Sequence, residues 1–310
     1  NVAFSSNDNW PYDWTSFCFQ PQNKAELQSA VDLWVSDNDS ARTIYGTINN
    51  WNVSQVTDMS ELFKDKETFN DDISAWDVSN VTSMSSVFKN ATSFNGNVST
   101  WDVSSVQYMD EMFEKATSFN GDISSWDVSS VTNMYEMFFD AYIFNSDISN
   151  WDVSNVTNMQ ATFEDAQIFN ADISNWDVSN VTNMLGLFIR TYAFNQDISS
   201  WDVSSVNNMR YMFYDATSFN QDISSWDISN VTNMDDMFVN PDSLSDINRC
   251  EINAVFSSND AWTYDWTSSC FDPQDKAELQ SAVDLWVSNN ASALTTYGSI
   301  NNWNVSQITD

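Results

Sequence analysis

Between Trp51 and Cys250, apolar and polar positions recur with a 25-residue period that never slips: Trp51, Trp76, Trp101, Trp126, Trp151, Trp176, Trp201 and Trp226 fall in one column. Eight copies share the pattern W-D-V-S-N-V-T-N-M-x-x-M-F-x-x-A-x-x-F-N-x-D-I-S-x. The eighth decays, with Leu244 in place of Phe and Asp246-Ile247 one residue early. A period of this length marks an array in which no unit buries its own apolar side chains, and stacking on neighbours completes the core. Within a copy, Trp126 and Val128 alternate with Asp and Ser, which predicts a short strand with one buried face. Met134, Met137 and Phe138 follow at the spacing of one face of a short helical turn. The expected architecture is a repeat solenoid with one short strand and one helical turn per coil, rising about 4.8 Å per coil.

A longer period encloses the first. Residues 1–58 return as residues 253–310 with 45 of 58 positions identical, so Trp51 is echoed by Trp303. The segment before the coils reads as an α-helical cap. Asn23 and Glu26 form a capping box that Asp275 and Glu278 repeat. Leu27, Ala30, Val31 and Trp34 share one helical face, suited to covering the apolar end of an array. The chain thus divides into a cap at 1–50, an eight-coil solenoid at 51–250, a second cap at 251–302 and the start of another solenoid at 303–310. This reads as a window on a longer tandem polymer.

The stretch Trp126-Asp-Val-Ser-Ser-Val-Thr-Asn-Met-Tyr-Glu-Met-Phe, with Phe144-Asn and Asp147-Ile148-Ser, resembles the repeat of BspA-like leucine-rich-repeat surface proteins. The helix from Lys24 to Trp34, then Tyr45-Gly46 and Ile48, is similar to the segment that often precedes that repeat. The resemblance implies a leucine-rich-repeat-like solenoid displayed outside the cell. It implies no catalytic residues.

Composition narrows the function. The chain carries 44 acidic and 10 basic side chains and no histidine, a formal charge of −34. Nucleic acid and anionic membranes would be repelled, and the commonest general base is missing. Fifteen Trp and 21 Phe argue against disorder. No Gly-rich phosphate loop or G-x-S-x-G elbow occurs, so the chain is not expected to be an enzyme and no cofactor is expected.

Three sets of residues are candidates for chemistry. Cys18 and Cys270 are equivalent positions in successive units, and the equivalent of Cys250 would precede Asn1. Cys250–Cys270 is the sensible pairing, with Cys18 bonded to a Cys of a preceding unit; the alternative is three buried free thiols. The disulfide would imply an oxidising compartment. N-glycan acceptors occur at Asn38, Asn52, Asn80, Asn90, Asn97, Asn155, Asn180, Asn230, Asn290 and Asn304. Asn80, Asn155, Asn180 and Asn230 share a column where an exposed loop is expected. Asp77, Asp102, Asp127, Asp152, Asp177, Asp202 and Asp227 form a carboxylate ladder. A cation such as Ca²⁺ between coils could relieve its repulsion, but loop-capping carboxylates are the preferred reading. The Asn70 to Asn220 column reads as a structural amide ladder, whereas Trp10, Trp14, Trp262 and Trp266 are candidates for an inter-unit contact or a ligand face.

These features predict an extracellular structural protein, its units assembling head to tail with copies of itself into a fibre or surface coat. The rival is an adhesin that grips a protein or polysaccharide through the strand face.

Overall fold

A computed structural model describes residues 19–308. The 25-residue copies lie one on another as a stack of coils, but the expected strand and helical turn are absent. Among the described residues there is no sheet, and no helix lies between Trp51 and Ser245. Consecutive coils meet in parallel bridges one residue long, from Asp58–Ser83 through to Asn208–Asn233. The leucine-rich-repeat-like architecture of strand plus helical turn is therefore overturned.

The local chemistry explains why. Asp127 Oδ1 accepts the Ser129 N–H at 3.0 Å and the Ser129 hydroxyl at 2.6 Å, and Asp147 holds Ser149 in the same way. An Asp bonded to the backbone two residues on makes an Asx turn and bends the chain. The Val131 N–H then reaches the Val128 carbonyl at 2.8 Å. Alternation of Trp126 and Val128 with polar residues thus comes from a corner folded around the core, not from an extended strand.

The Met134–Ala141 stretch fails as a helix because Glu136 and Asp140 adopt left-handed φ values of 51° and 56°. All eight coils do this in the same two columns, from Glu61 and Asp65 to Asp236 and Asn240. A left-handed residue cannot continue a right-handed helix. It closes short turns instead, such as Met137 N–H to Met134 O at 3.2 Å. The remaining N–H groups turn along the stack: those of Met134, Glu136, Phe138 and Asp140 donate to Asn158, Gln160, Thr162 and Glu164 carbonyls at 2.9–3.0 Å.

Like side chains then sit on like. Phe138 stacks between Phe113 and Phe163 with centroids 5.7 Å away on each side, and against Phe144 of its own coil at 3.8 Å. Trp126, Trp151 and Trp176 stack at 6.5 and 6.4 Å. From Trp76 to Trp226 each indole donates to a carbonyl 28 residues back, as Trp151 Nε1 does to Ile123 O at 3.1 Å, whereas the buried Trp51 Nε1 has no partner. Asn145 Oδ1 accepts the Asn170 N–H at 2.8 Å, one step of an amide ladder that runs from Asn70 to Asn220.

The first end of the stack is covered by α1 (Lys24–Ser36) and α2 (Asn38–Tyr45). Asn23 caps α1 by accepting the Glu26 N–H, and Leu27, Ala30, Val31 and Trp34 are buried. Gln28 Nε2 donates to the Leu62 carbonyl of the first coil at 3.1 Å. The last coil runs into α3 (Asp246–Phe256), followed by α4 (Lys276–Ser288) and α5 (Asn290–Tyr297). None of these helices is long and apolar enough to cross a membrane.

Candidate functional site

Two regions could carry function: the junction between the last coil and the second cap, and one charged edge of the stack. At the junction, Cys250 in α3 and Cys270 are disulfide-bonded with Cα atoms 4.8 Å apart. Glu251 accepts hydrogen bonds from the Ser299 N–H and from Asn302 Nδ2, the latter at 2.7 Å. Trp262, Tyr264 and Trp266 pack on Phe238 of the last coil, whose N–H donates to the Tyr264 hydroxyl at 2.8 Å. Burial raises the Tyr264 phenol to about 12. Trp262 and Trp266 therefore pack between the last coil and the second cap, whereas Trp10, Trp14 and Cys18 lie outside the described residues.

The second cap rebuilds the first. Phe19, Trp34 and Tyr45 surround Trp51 at 5.2, 5.7 and 5.8 Å. Phe271, Trp286 and Tyr297 surround Trp303 at 5.2, 5.8 and 5.9 Å. Helices α1 and α4 have the same sequence, KAELQSAVDLWVS. They differ in burial: Leu279, Val283 and Trp286 of α4 are only half-buried, and Val287 is 80% exposed.

The Asp ladder is spent on turns. Asp77, Asp102, Asp127, Asp152, Asp177, Asp202 and Asp227 each accept the N–H of the Ser two residues on. The Ser hydroxyl and N–H hold the Asp127 and Asp202 carboxyls below the usual range, and for Asp227 the N–H is the larger cause. Among the described residues, the three carboxylates close enough to share an ion lie elsewhere, at Glu111, Glu114 and Glu136, with oxygens within 4.8 Å. There the Lys89 ammonium already bonds Glu111 at 2.6 Å and pairs with Glu114.

The sequons divide by geometry. Nδ2 of Asn80, Asn155, Asn180 and Asn230 donates to the Ser54, Ser129, Ser154 and Ser204 carbonyls at 2.8–3.0 Å, so this column ties coils together. Asn90 Nδ2 is bonded to Asp65. Asn38 and Asn290 open α2 and α5. Asn52, Asn97 and Asn304 instead use Oδ1 in turns with the sequon Ser, whose hydroxyl donates at 2.7–2.8 Å.

The charged edge runs along the two left-handed columns and the position before the second, and was not legible as a cluster in the sequence. Lys89, Glu111, Glu114, Glu136, Glu164 and Arg190 come from successive coils. Arg190 Nε bonds both Asp165 oxygens at 2.8 Å and its Nη2 reaches Glu164 at 3.1 Å. Burial nevertheless lifts the Glu164 carboxyl to about 7 and raises those of Glu136 and Asp140. The signal available was that these columns change from copy to copy, as Glu111, Glu136, Ala161 and Gly186 do.

Compared with protein families, the chain matches one described as "Mycoplasma protein of unknown function, DUF285" twice, over residues 35–150 and 139–251. No curated protein and no solved structure matches it.

Proposed function

We propose that this chain, which belongs to the DUF285 family and is a repeat protein, is a structural protein outside the cell whose cap-plus-coil units continue head to tail as a fibre or surface coat. The observation that carries the reading is the second cap. It repeats the aromatic nest of the first around Trp303 and is pinned to the preceding coils by Cys250–Cys270. A cap that serves one stack on each side is a connector, and a disulfide in that position favours an oxidising compartment. The half-buried face of α4 matches, residue for residue, the face that α1 buries on a first coil. Repulsion from the −34 charge would keep neighbouring rods apart side to side.

Electron microscopy of the native material tests this. The expected result is filaments with a regular axial repeat of one cap plus eight coils, the coils alone spanning roughly 40 Å at roughly 5 Å each. Isolated rods with no regular end-to-end stacking would overturn it.

A further inference from the structure

Three successive coils break the repeat on one face. In the coils that begin at Trp76, Trp101 and Trp201, the buried Phe is preceded by Ala-Thr-Ser, as in Ala116-Thr117-Ser118-Phe119. The coils beginning at Trp126, Trp151 and Trp176 read Ala141-Tyr142-Ile143, Ala166-Gln167-Ile168 and Thr191-Tyr192-Ala193. The core does not need the change, because Phe144, Phe169 and Phe194 stay fully buried behind it. Tyr142, Ile143, Ile168 and Tyr192 are instead 40, 43, 49 and 39% exposed. Residues a coil apart in one column are stacked neighbours, so these side chains form a single apolar patch in the middle of the rod, where the coils on either side show Thr and Ser.

The patch is bordered by the acidic part of the charged edge. The Tyr142 phenol feels the charges of Asp140 and Asp165, Asp140 most strongly, and these raise it. Glu136, Asp140, Glu164 and Asp165 are answered by Arg190, Lys115 and Lys89, the last already paired with Glu111 and Glu114, which leaves an excess of negative charge. Burial without enough positive charge is what raises Glu164 and Asp140. A cation brought from outside would relieve it. Contiguous exposed apolar surface with a charged rim is the signature of a protein contact.

We propose that this face docks a basic, aliphatic segment of another protein, with its cations against Asp140 and Glu164 and its apolar side chains on Ile143 and Ile168. A neutral polysaccharide fits less well, because the groups bordering the tyrosines are mostly carboxylates rather than neutral donors. The inference does not depend on head-to-tail assembly, since the patch lies on the side of the stack.

The test is fluorescence anisotropy on the full chain with three probes: a short alternating Lys–Leu peptide, an all-Lys peptide of equal charge, and a neutral glucan oligosaccharide. Combined Tyr142→Thr, Ile143→Ser and Ile168→Ser replaces the apolar side chains with the residue types of the neighbouring coils and leaves the net charge unchanged. The expected result is Lys–Leu binding weakened about tenfold, with all-Lys binding unaltered. Asp140→Asn with Glu164→Gln should weaken both peptides. Unchanged Lys–Leu affinity in the triple variant would overturn the proposal, because attraction would then be to the net charge alone. Glucan binding lost in the triple variant, with Lys–Leu binding unchanged, would overturn it in favour of a polysaccharide. If the triple variant does not melt like the parent, Ile168→Ser alone is read by the same criteria.

Discussion

Replacing Phe138 by Ala in the middle of the stack should be among the most damaging single changes the protein can suffer. The ring is fully buried, lies between Phe113 and Phe163 at 5.7 Å on each side, and meets Phe144 at 3.8 Å and Trp151 at 6.3 Å. Phe→Ala in a packed core costs about 3–5 kcal/mol, and a stacked aromatic pair adds about 0.5–1.5 kcal/mol beyond area burial. Collapse into the void is resisted, because the Phe138 and Phe113 backbones remain bonded to Thr162 and Met137. The loss should therefore reach about 5 kcal/mol, the top of the range. Phe138→Leu, which keeps most of the volume, should cost about 1–2 kcal/mol. Urea unfolding followed by Trp fluorescence reads both, since Trp126 and Trp151 flank the site. In a nearest-neighbour array the Ala variant should also separate the transition into two phases, one for each side of the break. A loss below about 2 kcal/mol for Phe138→Ala, well under the usual core value, would refute the idea that the ladder is rigid and cooperative.

Other consequences can be measured directly. Glu136, Asp140 and Glu164 have folded pKa values raised above the ordinary range, so the fold favours their neutral forms and stability should rise as pH falls from about 8 to about 5. Asp122, Asp127, Asp147, Asp172, Asp197, Asp202 and Asp227 are held low by their turns; their contribution is present above the unfolded pKa and should be lost below about pH 4. Melting temperature against pH should thus pass through a maximum, and Glu164→Gln should flatten its alkaline side; a curve that only falls on acidification contradicts this. Cys270→Ser removes a bridge spanning 20 residues and should cost about 3 kcal/mol, seen as faster amide exchange in α4 and α5 with the Trp126 to Trp201 coils unaffected. Asn145→Ala removes the acceptor for the Asn170 N–H and should cost about 1 kcal/mol, whereas Asn145→Asp, which keeps an oxygen there, should cost less in the same urea titration. Treated with an oligosaccharyltransferase and mapped by mass spectrometry, the folded chain should accept glycan at Asn52 and Asn97 before Asn155 and Asn180, whose amide nitrogens are engaged between coils.

The 25-residue stack, the capping box at Asn23, the buried face of α1 and the amide ladder were all readable from the chain, because strict periodicity fixes which side chains meet. Backbone conformation was not. Trp126-x-Val128 looks like a strand on hydrophobicity alone, and the decisive residues were the polar ones, since Asp127 and Ser129 together specify a turn. The Met134-x-x-Met137-Phe138 spacing fits a helix, but the left-handed positions between them accept Glu, Ala, Tyr and Gly in turn, so no single residue type announces them. The charged edge was missed for a related reason. Its members are far apart in sequence and vary from copy to copy, and attention to what repeats passes over them.

The hydrogen bonds between coils also give the rod a direction. In the turn segment each coil gives N–H groups to the coil that follows and carbonyls to the coil before. In that segment one end of the stack presents unmet acceptors and the other unmet donors, while the Thr column runs the opposite way, as in Thr82 N–H to Thr57 O. The caps answer each in kind: Gln28 brings a donor to the Leu62 carbonyl, and Tyr264 brings an oxygen to the Phe238 N–H. Two such rods meeting by like ends with these turn segments face to face would set carbonyl against carbonyl or N–H against N–H there, which a buried interface does not tolerate. Under the head-to-tail assembly proposed above, joining would be heterologous, which builds open filaments rather than closed dimers. A filament grown this way would be polar along its whole length, with chemically distinct ends.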